Sequence, residues 1–337
     1  MKKIVHYFLP FLFTLLLDPS IFLKIQAQQH PIEEKKAPTQ GRSSLRVSIE
    51  QVQVNVTVMN KKKDLIQGLQ KQHFKIYEEK IEQEIINFYP IEAPITAVLI
   101  TEFSKAIPWE YIYEAWIASH SFVDQMRAED WIAVVAYDIR PEILVDFTQN
   151  KEQVYCSLAK LNYPAFLESN LYDTVYDVLD RVQEMEERVA IILVSSGIDT
   201  FSKINLKKTM NKVKNSNVVI YSVSLGGNLR ARREVFLPGA ARLDLYQGDA
   251  TLRYFSKYTG GEAFFPRFVQ QYKSIFQNIS NALRNQYSLS YASSNPKKDG
   301  KYRKIKVEVY ADANHDGKPE KLKVRHREGY LSKKREN

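Results

Sequence analysis

The sequence has a single cysteine, Cys156, among 337 residues, so no disulfide can form within the chain. Glycine is scarce at 12 residues, and neither GxGxxG nor GxxxxGK[ST] occurs, which argues against a glycine-rich loop cradling phosphate. HExxH, CxxC and the G-x-S-x-G nucleophile elbow are missing too. Histidine is limited to His6, His30, His73, His120, His315 and His326. None of the last four falls at an expected strand tip of the main sheet. Nucleophilic catalysis needs a base within reach of a Ser or Cys, so these absences point away from an enzyme. No carboxylate pair stands out for glycoside hydrolysis either.

Long apolar runs are confined to the first residues. Lys2 and Lys3 precede "IVHYFLPFLFTLLL", and "IFLKIQAQQ" follows. This pattern is that of a secretory signal peptide over residues 1–27, cut after Ala27. Pro10 and Asp18 interrupt the run, against a permanent membrane span. The chain is therefore expected to be exported to the periplasm, the cell envelope or the outside, meeting a membrane only through export or an uncleaved signal. The formal charge is +9, but Lys and Arg are dispersed among acids and no basic helix carries interleaved aromatics. Nucleic acid is not an expected partner.

What is present divides the rest of the chain. Residues 28–43 are polar and Pro-containing, a flexible linker. Val52, Val54, Val56 and Val58 alternate as in a half-buried strand, and residues 44–92 read as a small β unit. Over 93–285 strands and helices alternate. "AVLI" and "VAIILV" are near-continuous apolar runs, as in strands covered on both faces. Trp109, Ile112, Trp116 and Phe122 lie near helical spacing. Cys156 in "VYCSLAKL" reads as a buried thiol on a helix. "YFSKYTGG" ends on a glycine helix cap. Residues 286–332 return to β character, with Ile305, Val307 and Val309 alternating in a hairpin region, and 333–337 form a basic tail. The expected fold class is α/β, a Rossmann-like, doubly wound, mostly parallel sheet with small β pieces before and after it. Ligands in such sheets bind beyond the carboxyl ends of the strands.

The succession "VNVTVMNKKKDLIQGLQKQHFKIYEEKIEQEIINFYP", "ITAVLITEFS", "NLYDTVYDVL", "ILVSSGIDT", "YFSKYTGGEAFFP" and "LRNQYSLSYASSNPKKDGKYRKIKV" resembles the von Willebrand factor A-related proteins common in Acidobacteria. The resemblance runs from about Gln51 to Leu331 and implies an A-type domain over 93–285. Such domains hold Mg²⁺ or a similar ion at the sheet's carboxyl edge. Their pattern is Asp-x-Ser-x-Ser after the first strand, a Thr in a second loop and an Asp after the fourth strand. An acidic side chain of a partner protein can complete the ion's shell.

Here the pattern is altered. Glu102 stands for the first Asp, Ser104 for the first Ser and Ala106 for the second Ser; Ser169 stands for the Thr and Ser196 for the second Asp. One carboxylate replaces two, and Glu carries its oxygens about 1.5 Å farther than Asp would, one C–C bond. Ligand distances to a metal are fixed within about 0.2 Å. Asp199 restores a carboxylate if its loop curls back. The expectation is an edge with weakened or absent Mg²⁺ or Mn²⁺ binding, and no required cofactor.

A second cation candidate is "DANHDG", where Asp312, Asn314 and Asp316 alternate before Gly317 as at the start of a calcium loop. The twelfth position, which should be Glu, is Lys323, although Glu320 at the ninth offers a carboxylate. The alternative is a plain hairpin turn. Three functional readings follow. The first is an exported, non-enzymatic protein-interaction or adhesion module with a degenerate metal edge, its protein partner unidentified. The second is a metal-dependent adhesion domain with a Glu-based site. The third is a hydrolase or nucleotide binder on the same sheet.

Overall fold

The computed structural model describes residues 51–333 except 92, 106–108, 162–165, 167, 186–187, 226, 228–237 and 314–316. The expected signal segment 1–27, the linker 28–43, the start of the first β unit and residues 334–337 of the tail lie outside the described residues.

The chain runs β1 (Gln51–Met59), β2 (Phe74–Glu78), β3 (Ile81–Gln83) and β4 (Ile85–Ile91), then enters the α/β region. That region comprises β5 (Thr96–Glu102), α1 (Trp109–Gln125), β6 (Trp131–Tyr137), β7 (Pro141–Thr148), α2 (Lys151–Leu158), α3 (Leu171–Val182), β8 (Val189–Ser195), α4 (Leu206–Asn215), β9 (Val219–Ser224), α5 (Gly239–Thr259), β10 (Ala263–Phe264) and α6 (Gln271–Arg284). The chain closes with β11 (Gln286–Ala292), β12 (Tyr302–Ala311), β13 (Glu320–Lys321), β14 (Lys323–Arg325) and β15 (Gly329–Leu331).

The central sheet has the order β10-β9-β8-β5-β6-β7. All its pairings are parallel except that of β7, which runs antiparallel to β6 at the edge. The fold is therefore the expected doubly wound, mostly parallel sheet. Strand period 2 explains its two cores. Ala97 and Leu99 of β5, with Ala190, Ile192 and Val194 of β8, pack against α1, α2 and α6. Val98 and Ile100, with Val189, Ile191 and Leu193, pack against α3, α4 and α5. Every residue of β8 is buried, as its unbroken apolar run requires.

Helix details depart from the sequence reading in two places. The stripe of α1 that enters the core is Tyr111, Ile112, Ala115, Ala118, Phe122 and Val123, while Trp116 lies at the exposed edge of the helix beside His120. Cys156 is exposed rather than buried. Helix α2 turns Val154 and Leu158, four residues apart, to the core, and Cys156 lies between them on the far side. The glycine cap falls where expected: α5 ends at Thr259 with Gly260 at φ 83°.

The β segments before and after the α/β region join. β1 pairs antiparallel with β11, and β2 with β12. This gives one sheet of order β14-β1-β11-β4 and another of order β13-β12-β2-β3, with β15 also on β12. Val54 and Val56 of β1, Leu289 and Tyr291 of β11, Ile76 of β2 and Val307 and Val309 of β12 share one core between the sheets. A half-buried alternating strand needs a partner face, and here the β segments on either side of the α/β region supply it to each other.

Candidate functional site

The carboxyl ends of β5, β6 and β8 lie side by side. Glu102 is in register with Tyr137 of β6, and Thr101 with Val194 of β8, so Ser195 falls next to Glu102 on the other side. In parallel strands, residues in register project to the same face. Glu102, Tyr137 and Ser195 thus converge on the α3 side of the sheet. This is the place where the chain's winding direction changes, since β6 and β8 both flank β5.

Glu102 is fully buried. Its Oε1 accepts a hydrogen bond from Ser104 Oγ at 3.3 Å. Its Oε2 lies 2.7 Å from the amide N of Ser196, 2.8 Å from Ser196 Oγ, 3.2 Å from Ser195 Oγ and 3.3 Å from the Tyr137 hydroxyl. Tyr137 and Ser195 are also 2.7 Å apart and share one bond between them. Each hydroxyl carries one proton, so that pair has one left over for Oε2, which takes two more from Ser196. The lone pairs of that oxygen are occupied from within the chain. Burial pushes the Glu102 carboxyl above its ordinary value, and the bonds from Ser196, Ser195 and Ser104 oppose this only in part. Burial, and then the neighbouring Glu102 charge, push Tyr137 well up, so its hydroxyl stays a donor.

The loop after β8 presents the Ser196 donors. Gly197 adopts φ +80°, and a Cβ there would lie 2.3 Å from the carbonyl of Gly248 in α5. Only glycine satisfies both the backbone angle and this approach.

Of the other residues singled out by the sequence, Ser169 borders this cluster, its side chain within hydrogen-bond reach of the Tyr137 hydroxyl, and it also ties two loops together. Ser169 Oγ donates to the carbonyl of Ile198 at 3.0 Å, and the Ser169 amide donates to Thr200 Oγ1 at 2.8 Å, stitching the approach to α3 onto the post-β8 loop. Asp199 accepts from the Tyr172 amide at 3.0 Å in the first turn of α3 and from Ser202 Oγ. An acidic side chain there complements the helix dipole. Burial raises the pKa of Asp199 and those bonds counter it. The structure thus brings Glu102, Ser104 and Ser196 together and turns Asp199 to a helix end. Ala106 lies outside the described residues. Among the described residues no group of three or more His, Cys, Asp or Glu side chains is placed to hold a metal ion.

Tyr137 was not singled out by the sequence, and Ser195 only as the first residue of the strand tip Ser195–Asp199, not as a partner of Glu102. Both end apolar runs, and their neighbourhood follows only from the register between strands.

At the other cation candidate, β12 and β13 form an antiparallel pair. Asp312 Oδ2 accepts from the Gly317 amide at 2.8 Å, closing the turn, and Glu320 pairs with Lys61 at 2.8 Å. Asn314 and Asp316 lie outside the described residues.

No protein-family model matches the chain, and no curated protein matches it. Solved structures similar to it include a von Willebrand factor type A protein from Catenulispora acidiphila, with 10% identity over 76% of this chain and 75% of that one and a TM-score of 0.45. The vWF domain of the type V pili tip protein Mfa5 from Porphyromonas gingivalis has 13% identity over 58% of this chain and 97% of that one, TM-score 0.43. The conserved hypothetical protein BatB from Bacteroides thetaiotaomicron has 11% identity over 57% of this chain and 100% of that one, TM-score 0.40. The fold itself stands on the strand order and pairing given above. No helix among the described residues is long and apolar enough to cross a membrane.

Proposed function

We propose that this chain is an exported, non-enzymatic protein-interaction module of the von Willebrand factor A-related kind, whose cation edge is closed by its own side chains. The observation that carries the reading is the set of donors on Glu102 Oε2: the Ser196 amide, the Ser196 hydroxyl and the proton of the Tyr137–Ser195 pair. A hard divalent ion needs about six oxygen ligands, with carboxylates to balance its charge. This edge offers one carboxylate, already committed to internal hydrogens, and hydroxyls that point their protons at it. Binding a cation here would require breaking several of those bonds, at a carboxyl whose pKa burial raises. Partner recognition then proceeds through surface shape and ordinary polar contacts.

Calorimetric titration of the purified protein with Mg²⁺ and Mn²⁺ tests this. The expected result is no binding at micromolar concentrations, in the wild type or in Glu102→Gln. Micromolar binding that Glu102→Gln abolishes would replace this reading with a metal-dependent adhesion domain built on Glu102.

A further inference from the structure

The amino edge of the central sheet, at the opposite end of β8 from Ser195, holds a cavity of about 370 Å³. Its walls come from the last turns of α3 and α4, the first residues of β8 and β9, and β1 and β11 of the sandwich. No Asp or Glu lines it among the described residues, but Arg188, Arg327 and Lys212 do. Lys212 has its counter-charge in Asp180. The two arginines have none among the described residues.

Their present partners are neutral. Arg188 donates from Nη2 to the Leu283 carbonyl at 2.8 Å and from Nη1 to Gln286 Oε1. Arg327 donates from Nε to the Gly329 carbonyl at 2.9 Å, from Nη1 to Asn217 Oδ1 at 2.7 Å and from Nη2 to the Lys214 carbonyl at 3.0 Å. A guanidinium has five N–H donors, so both keep donors in reserve. Two of the acceptors are carbonyls near the ends of α4 and α6, and a helix end offers only about half an elementary charge. Two cations therefore face one cavity to which no described residue contributes a full negative charge. Burial pulls both guanidiniums below their ordinary value. Beside them, Asn55 Oδ1 is buried and has no hydrogen-bond partner, an acceptor awaiting a donor.

We propose that this cavity binds a small hydroxylated organic anion, its carboxylate taken up by Arg188 and Arg327 and its hydroxyl donating to Asn55 Oδ1. The carboxylate supplies the missing counter-charge in the forked geometry that arginine favours. The hydroxyl satisfies the orphaned acceptor. Apolar carbons have Leu179, Val182 and Val218 to lie against. The volume suits a compact ligand at the small end of the usual range. Nothing in this site depends on the Glu102 edge.

The test uses the whole protein with malate and with succinate, which has the same carbon skeleton without the hydroxyl. Calorimetry and thermal unfolding should show saturable malate binding, with malate about fivefold tighter than succinate, the value of one hydrogen bond. Asn55→Leu should erase that preference. Arg188→Gln should weaken malate roughly tenfold or more, through loss of a charge-assisted bond. Asn215→Trp, at an exposed position on the rim, should block the cavity while leaving both arginines in place, and so serves if Arg188→Gln does not fold. Lys298→Gln removes the same charge at an exposed site outside the cavity and should change nothing. Absence of saturable binding overturns the proposal, as does equal affinity for the two acids. Equal weakening by Arg188→Gln and Lys298→Gln overturns it too, by assigning the effect to the overall charge of +9.

Discussion

Two buried carboxylates sit at opposite ends of the central sheet, one facing a full positive charge and the other only dipoles. Asp130, just before β6, accepts from Arg284 through both of its oxygens, at 2.8 Å for Oδ1, and from the amides of Ile95 at 2.7 Å and Arg127 at 2.6 Å. Burial would raise its pKa. The bonds from Arg284, the two amides and the Arg284 charge together outweigh burial, and its pKa is lowered. Glu102, at the end of β5, has as many hydrogen-bond partners but no cation, and burial prevails there. Dipoles offset desolvation, whereas a guanidinium reverses it. At one site the carboxyl pKa is lowered by its cation, and at the other burial raises it.

The strongest way to break this contrast is to leave Arg284 alone. Asp130→Ala should destabilise the protein by about 3–5 kcal/mol, the cost of an uncompensated buried charge, as read by urea denaturation. Adding Arg284→Met should recover part of that loss. A double variant that costs the sum of the two singles would mean the pair is not coupled.

The dependence on pH should separate the two ends by sign. Asp130 has a lowered folded pKa, so its contribution is present above its unfolded value and is lost as pH falls through the folded one. Glu102 has a raised folded pKa, so the native state holds its proton more tightly than the unfolded chain. Its contribution is greatest in acid and is lost as pH rises from the ordinary value of 4.5 through the raised one. Urea midpoints followed from acid to neutral pH should show the wild type losing ground to Glu102→Gln. They should show it gaining ground on Asp130→Asn. Parallel curves for wild type and Glu102→Gln would remove the basis for a raised Glu102 pKa.

The smallest expected effect sharpens the account of the donors. Tyr137→Phe removes one hydroxyl of the linked pair but leaves Ser195 free to donate to Glu102. It should cost about 1 kcal/mol in thermal unfolding and leave the fold intact. A much larger loss would show that Tyr137, rather than Ser196, carries the arrangement around Oε2.

Much of the fold is legible in residue order. The unbroken runs of β5 and β8 state that both faces are covered, and alternation in β1 and β12 states that one is. Because parallel strands end at a common edge, "TEFS" and "SSG" could be expected to meet, and Glu102, Ser104 and Ser196 do meet. The rest was not legible because it depends on contacts between distant segments. Tyr137 joins Glu102 through strand register, and Asp130 meets Arg284 across 154 positions. Asp199 turns to the Tyr172 amide, 27 positions away, as well as to nearby Ser202. Cys156 and Trp116 show the same limit on a single helix: spacing gives a stripe, but its edges are drawn by what packs against it.

The sequence alone determined the α/β succession, the two-sided core and the presence of a single acidic residue at the tip of the first central strand. Those features follow from local periodicity and residue type, which travel with the chain. Only the tertiary structure decided that the β segments before and after the α/β region form one sandwich, that the lone carboxylate is met by hydroxyls and an amide, and that two arginines face a cavity lined by no described acid. Hydrogen bonds and charges act over a few ångströms in space, and the residues that share that space are brought there by strand register and packing rather than by their order.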